Sequence, residues 1–556
     1  MFRKNESYKQ AGMFDIINQL TKKQTKILEK SEEHVFFEQV FMNIDEASFE
    51  VLYSKKMSRP NAPVNQLVGA LILKHNFNWT YEELFKNLTF NILTRHAIGI
   101  NSVEEDVFSE ASLFNFLNRL SGHFIKHGED LIERTFKSLT SNHLERFKIK
   151  TNIQRGDSFL MGSNIIDYTR LNLLLEVLIR FVGQLNEFDK EKKHDLTKKH
   201  TKWKAHKYIY KLDKDMFPKE IKALGQIYYT LYNMFKSSYR QEEVFKIFER
   251  TMKEHFTIEQ GQVVVIPTKQ LNSKILMSPD DVQASYRRKG EVHSKGFVGH
   301  ISETAHPDNE FNLITDLAVE PNNKDDAKIL EERLPKMMRH TPDIEEYHCD
   351  GLYGNPQIDK MTEGHITMVQ ATQRGRKSGA KIRMYKTKEG ELMARCEGGQ
   401  EVDILTRAKS YRAEFDLEKC NKCPFKDVCK TIKRVVQKTK KECRVTTFSK
   451  ADLLRHLRLE NIANIPEERK TLRANVEATV KECKKGIKNG KLRVRGKKSA
   501  RLYLMFTAIG INLRRISKYL TKKGIISSID TLIMTVKHVM AININSQSQL
   551  KIRVYT

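Results

Sequence analysis

Apolar residues at Val64, Leu67, Val68, Leu71 and Ile72 recur three and four positions apart, the spacing that lines up side chains on one face of an α-helix. Pro60 and Pro63 stand just ahead of that run, where proline is tolerated at a helix start. Thr80 and Glu83 have the spacing of a capping box before Leu84, Phe85 and Leu88. Leu113, Phe116, Leu117 and Leu120 mark a third helix. Residues 1–145 therefore read as an all-α domain. Short helices joined tightly are compatible with a helix-turn-helix module; a plain helical scaffold satisfies the same periodicity.

The period changes near residue 147. Phe147, Ile149, Thr151 and Ile153 alternate with polar residues until Gly156-Asp157-Ser158, which predicts a strand ending in an acidic residue. Residues 165 to about 260 return to helix, with Leu171, Leu174, Leu175 and Leu178 on one face and a lysine-rich stretch, EFDKEKKHDLTKKHTKWKAHK, in the middle. Strand-like segments follow at 296–302, 312–319 and 344–350, with a helix over 325–339 between the last two. Helices are predicted over 467–485 and 500–521, the second carrying Leu502, Met505, Phe506, Ile509, Leu513, Ile516 and Leu520. The fold class is α/β. The chain divides into the helical domain 1–145, an α/β domain over 146–520 and a tail at 521–556. The α/β domain has a helical insertion at about 165–290 and a Cys-rich insertion at about 380–450.

Charge narrows the function. Of 556 residues, 97 are Lys or Arg and 69 are Asp or Glu, a net charge of +28. Such an excess repels itself in a compact body and points to a polyanionic partner. No stretch approaches the roughly 18–20 uncharged apolar residues of a membrane span, and the opening MFRKNESYKQ lacks the apolar core of a signal peptide. None of the seven cysteines falls in the first 348 residues, unlike a secreted disulfide scaffold. The expectation is a cytoplasmic, nucleoid-associated protein that works on nucleic acid.

Three carboxylates suggest the chemistry. Asp157 and Asp350 each stand where a predicted strand gives way to a turn, the edge at which α/β sheets build their sites. Glu477 lies on the predicted 467–485 helix. Hard carboxylate oxygens suit Mg²⁺, and paired divalent ions serve phosphoryl transfer. Arg473, Glu477, Lys481 and Lys484 share one helix face, while Leu472, Val476, Val480 and Cys483 form an apolar stripe on another. Spacing alone is equally met by an exposed helix laced with i, i+4 ion pairs.

The stretches QRGDSFLMGSNI with Asp157, HCDGLYGN with Asp350 and RANVEATVKECKKG with Glu477 resemble, in order, the three catalytic motifs of bacterial insertion-sequence DDE transposases. Arg473-(3)-Glu477-(6)-Lys484 matches part of the signature around the family's glutamate; Lys470 stands where a Tyr is expected. SRPNAPVNQLVGALILK, DDVQASYRRKGEVHSKGFVGH and VRGKKSARLYLMFTAIGINLRRI are also similar to that family, so the likeness runs from about 57 to 518. The resemblance implies an RNase H-like core with Asp157 on its first strand, Asp350 on its fourth and Glu477 on a late helix. It further implies that these three hold two Mg²⁺ ions, with Mn²⁺ able to substitute, for strand cleavage and transfer at the terminal inverted repeats. The partners implied are double-stranded DNA, contacted by Arg473, Lys481 and Lys484, and a second subunit in the synaptic complex. The rivals are a nuclease on the same fold that does not integrate, and a DNA-binding remnant, against which the intact triad argues.

One cluster stands apart. Cys420, Cys423 and Cys429 form C-x₂-C-x₅-C, with Cys396 upstream as a fourth thiol, a set that predicts structural Zn²⁺; reduced, partly buried cysteines are the alternative. His348 reads as a core histidine beside Asp350. Trp79 and Trp203 are candidates for base stacking, with core packing the better role for Trp79.

Overall fold

The computed structural model describes residues 1–9, 15–56, 59–370, 381–387, 389–435 and 442–523; from residue 524 the C-terminal tail lies outside them. Helices occupy the chain up to Arg146, among them Val64–Asn76 (α1) and Leu131–Arg146 (α2). The Thr80–Glu83 capping box forms as its spacing predicts, with Thr80 N–H donating to Glu83 Oε2 at 2.7 Å and Glu83 N–H to Thr80 Oγ1 at 3.1 Å.

The strand expected from residue 147 begins later. Phe147 N–H still bonds the His143 carbonyl at 3.0 Å, Ile149 N–H bonds Leu144 at 2.9 Å, and Lys148 takes φ +51°. The alternation at 147–151 therefore belongs to the turn closing α2, and Asp157 falls inside the strand Ile153–Gly162 (β1) instead of ending it. Ser285–Lys289 (β2), Val292–Thr304 (β3), Ile314–Pro321 (β4), Glu346–Cys349 (β5) and Thr367–Gln370 (β6) complete a six-stranded sheet in the order β2-β3-β1-β5-β6, with β4 also on β3. β1, β2 and β4 each pair with β3 antiparallel; β5 runs parallel to both β1 and β6. Asp326–His340 (α3) crosses between β4 and β5.

Between β1 and β2 the helices Arg170–Gln184, Glu187–Thr201, Ala205–Tyr210, Phe217–Phe235 and Glu243–His255 gather a core of their own, including Leu174, Phe181, Tyr228 and Phe248. The lysine-rich stretch becomes the Glu187–Thr201 helix, pinned by buried Glu220, which accepts from His200 Nε2 at 2.5 Å and Lys199 Nζ at 3.0 Å. After β6 a second, antiparallel sheet of six strands spans residues 382–448, and Lys450–Asn464 (α4) packs against both sheets.

The last two elements are Val476–Cys483 (α5) and Lys497–Lys523 (α6). The apolar residues of α6 predict a stripe, yet every residue from Tyr503 to Leu513 is buried. A helix buried all round sits inside a core: α6 lies between α1 and β4, so the N-terminal helices and the main sheet share one hydrophobic core. Asn512 locks it in place, accepting from Ile314 N–H at 2.8 Å and donating to the Ile314 carbonyl at 3.0 Å.

Candidate active site

β1 and β5 pair Ile153 with Glu346, Gln154 with Tyr347 and Arg155 with His348. Two residues beyond the last pair come Asp157, still inside β1, and Asp350, just past the end of β5, so the parallel register runs both toward the same edge of the sheet. Residues two apart face the same side of a sheet, and Arg155 faces the turn at Leu472, donating to its carbonyl at 3.0 Å. Asp157 is therefore turned toward the segment that carries Glu477. Asp157 Oδ1 accepts from Ser158 N–H at 2.8 Å, and Asp350 Oδ1 accepts from Gly351 N–H at 2.7 Å. Each aspartate is thus held by the backbone that follows it.

The long helix predicted around Glu477 is broken. It comprises Glu467–Lys470, a 3₁₀ turn at Leu472–Asn475, and α5. The apolar stripe still does its part: Val476 and Cys483 are fully buried against the sheet, with Leu472 and Val480 half-buried. The break is anchored at two points, by Arg155 on the Leu472 carbonyl and by Arg469, which lies 3.1 Å from Glu346 Oε2. Glu346 also accepts from His348 Nε2 at 2.5 Å. Burial pushes the Glu346 carboxyl up, but these two partners hold it below the ordinary range. His348 is fully buried in this support beneath Asp350, in keeping with the core role.

Arg473 joins the two halves of the site. Its Nη2 lies 2.9 Å from Asp157 Oδ2 and its Nη1 3.9 Å from Glu477 Oε1. The Asp157 side chain is 17% exposed and that of Arg473 22%, whereas Glu477 is 71% exposed on the first turn of α5. Lys481 is exposed further along α5, and Lys484 Nζ stands 5.6 Å from the centre of the Phe159 ring. Lys484 joins Arg287, Lys295 and Lys491 around a cleft of about 540 Å³ that follows β1 from Ser158 to Gly162.

Several supporting residues carry no sequence signal. Glu303, the last residue but one of β3, is fully buried. It accepts from Arg155 Nε at 2.7 Å, Thr479 Oγ1 at 2.8 Å and Arg515 Nη1 at 2.7 Å, tying β1, α5 and α6 together. On the opposite face of β1, Ser158 Oγ is 2.6 Å from Tyr353 Oη, which is 3.1 Å from His300 Nδ1.

Residues 395–517 match the family model described as a transposase DDE domain, and residues 18–119 match the model described as a transposase domain, DUF772. The two matches together support a DDE insertion-sequence transposase. No curated protein and no solved structure matches it. The DDE match takes in Arg473, Glu477, Lys481 and Lys484, while Asp157 and Asp350 lie between the two matched ranges. As a DDE transposase the protein is an enzyme of DNA strand cleavage and transfer. Among the described residues no helix is long and apolar enough to cross a membrane.

The zinc expectation for this transposase is not supported. Cys396, Cys420, Cys423 and Cys429 do line one small cavity, but among the described residues no three His, Cys, Asp or Glu side chains are gathered to hold a metal ion. Instead Cys420 Sγ accepts from Gln400 Nε2 at 3.3 Å, and Cys429 Sγ is 3.3 Å from Thr431 Oγ1. Burial pushes the Cys420 thiol up, and the neighbouring sulfurs add to it. Nor, among the described residues, are Asp157, Asp350 and Glu477 gathered into one metal-holding group; their donors are hard oxygens, the chemistry that Mg²⁺ prefers, and the Arg473 guanidinium stands between Asp157 and Glu477. Of the two tryptophans, Trp79 stacks on Phe77 with centroids 4.8 Å apart, and Trp203 is partly exposed with Lys211 Nζ 3.8 Å above its ring.

Proposed function

We propose that Asp157, Asp350 and Glu477 are the catalytic carboxylates of this transposase, mounted on an RNase H-like core. β3 and β4 antiparallel on one side of β1, with β5 and β6 parallel on the other, is the arrangement that supports that reading of the sheet. The observation that carries the assignment is the Arg473 bridge, which brings the Glu477 helix onto the strand of Asp157 beside the end of β5. The three side chains would hold Mg²⁺, or Mn²⁺ in its place. Held there, such ions would supply activation of the attacking oxygen and stabilisation of the leaving 3′-oxygen.

The chain's own residues supply position and charge. The backbone hydrogen bonds at Ser158 and Gly351 fix the two aspartates. Lys481 and Lys484 draw the phosphate backbone toward the cleft beside β1, Arg473 contacts phosphates near the cut, and the N-terminal helices read the terminal inverted repeats of the element. Two ends are cut within a homodimer on DNA, in the nucleoid.

The decisive experiment uses duplexes carrying the inverted repeats that flank the gene. Asp350→Asn should abolish cleavage and, without divalent ions, leave end binding within about twofold, because it removes a metal ligand and not a phosphate contact. Cleavage by this variant at the wild-type rate would overturn the assignment. Pre-cleaved ends should join to target DNA with the wild-type protein; cutting without joining would favour a nuclease that does not integrate.

A further inference from the structure

We propose that Arg473 is a resident counter-ion of the catalytic carboxylates, which a divalent cation displaces and thereby releases to the DNA backbone. The inference rests on the assignment of Asp157 and Glu477 as metal ligands.

The geometry sets up a competition. One guanidinium reaches both Asp157 Oδ2, at 2.9 Å, and Glu477 Oε1, at 3.9 Å. Two carboxylates close enough to share one cation repel each other, and a single positive charge relieves only part of that repulsion. A divalent ion carries twice the charge and needs the same oxygens as direct ligands. The Asp157 oxygen that Arg473 occupies cannot serve both at full strength.

Arg473 is also bound more loosely than the structural arginines of this fold. Arg333 grips Asp316 through two nitrogens at 2.8 and 2.6 Å and adds Glu133 at 2.7 Å. Arg155 sets Nε on Glu303 and Nη1 on the Leu472 carbonyl. Arg473 makes one short contact and one long one, and its buried Nε has no hydrogen-bond partner. Its backbone is held, since the 3₁₀ turn is anchored through Arg155 and Arg469. The side chain can therefore swing while Glu477 stays in place.

Once freed, the guanidinium presents a planar fork suited to phosphate oxygens, on the side of the sheet where Lys481 and Lys484 lie. Metal binding would then raise DNA affinity, and by linkage DNA would raise metal affinity by the same factor. Without DNA and metal, the same contact keeps the carboxylates from scavenging divalent ions.

The test measures binding, not turnover. Mn²⁺ binding to the full chain without DNA is followed by the loss of the free-ion spin-resonance signal, for wild type, Arg473→Ala, Arg473→Lys and Asp157→Asn. Binding of a labelled random-sequence duplex is followed by fluorescence anisotropy with and without Mn²⁺. Arg473→Ala should bind Mn²⁺ about fivefold or more tightly than wild type, and its DNA affinity should no longer rise on adding Mn²⁺. Arg473→Lys, which keeps the charge but not the fork, should fall between and guards against misfolding of the alanine variant. Unchanged or weaker Mn²⁺ binding by both variants, with Asp157→Asn clearly weakened, would overturn the displacement while sparing the carboxylate assignment. Unchanged Mn²⁺ binding by Asp157→Asn would overturn the assignment itself.

Discussion

The Tyr347 hydroxyl fills the space where Gly156 would carry a side chain: a Cβ there would lie 1.8 Å from that oxygen. The hydroxyl is 2.7 Å from Ser302 Oγ, so the absent side chain lets β1, β3 and β5 meet through one phenol directly beside Asp157. Gly156→Ala should therefore overpack the sheet and lower stability by about 1–3 kcal/mol. Adding Tyr347→Phe should recover part of the loss, because it removes the shortest contact and leaves the Ile301 carbonyl and the ring's Cζ, each 2.9 Å from the added Cβ. Urea denaturation of the single and double variants measures both effects; a Gly156→Ala midpoint equal to wild type would contradict the close approach.

Glu303 should matter more to stability than its place outside the motifs suggests. Glu303→Ala strips the buried partner from Arg155 and Arg515 and leaves two guanidinium groups short of compensation. Breaking such a buried pair costs about 3–5 kcal/mol. A loss below about 1 kcal/mol by chemical denaturation would show that the two arginines find other partners.

Acid should destabilise the fold well before the carboxylates titrate. Burial lowers His75 and His96 to about 3, and His143 and His300 to about 4. These rings are neutral in the native protein, while the unfolded chain takes up protons near the ordinary value of about 6.5. Their stabilising contribution is complete above about pH 6.5 and is lost as pH falls toward 4 and then 3. Each adds a slope of up to about 1.4 kcal/mol per pH unit in that window. The urea midpoint should drop clearly between pH 7 and pH 5. His75→Phe should flatten that drop, since the ring stacks on Phe506 with centroids 5.5 Å apart and packing survives the change.

DNA binding should depend on salt through the α5 lysines. Log affinity falls by about 0.9 per phosphate neutralised for each decade of salt. Replacing Lys481 and Lys484 by Ala should shallow that slope by up to about two units and weaken specific and random DNA alike. Changes in the N-terminal helices should instead reduce discrimination for the element's ends, because sequence is read at base edges. An unchanged slope in the double lysine variant would mean that this helix face is solvated and off the DNA.

The sequence by itself determined several local elements and the likeness to transposases. Helical periodicity placed α1, the capping box placed the helix after Thr80, and the strand around 346–349 stood out ahead of Asp350, since each depends on neighbours within a few residues. The order of the three acidic motifs carried the resemblance to the family, because residue types at set spacings can be read without the fold. Tertiary structure alone decided how distant pieces meet. The break before α5 depends on Arg155 claiming the Leu472 carbonyl from more than three hundred residues away. Residue 147 looked like strand because alternation does not distinguish a strand from the turn that closes α2. The full burial of α6 was invisible as an amphipathic stripe, since its second apolar face is covered by helices from the far end of the chain. The Arg473 bridge was legible only as an i, i+4 spacing to Glu477; its stronger partner, Asp157, is brought to it by the sheet. Spacing along a helix reports one face of a residue's surroundings, and packing supplies the other.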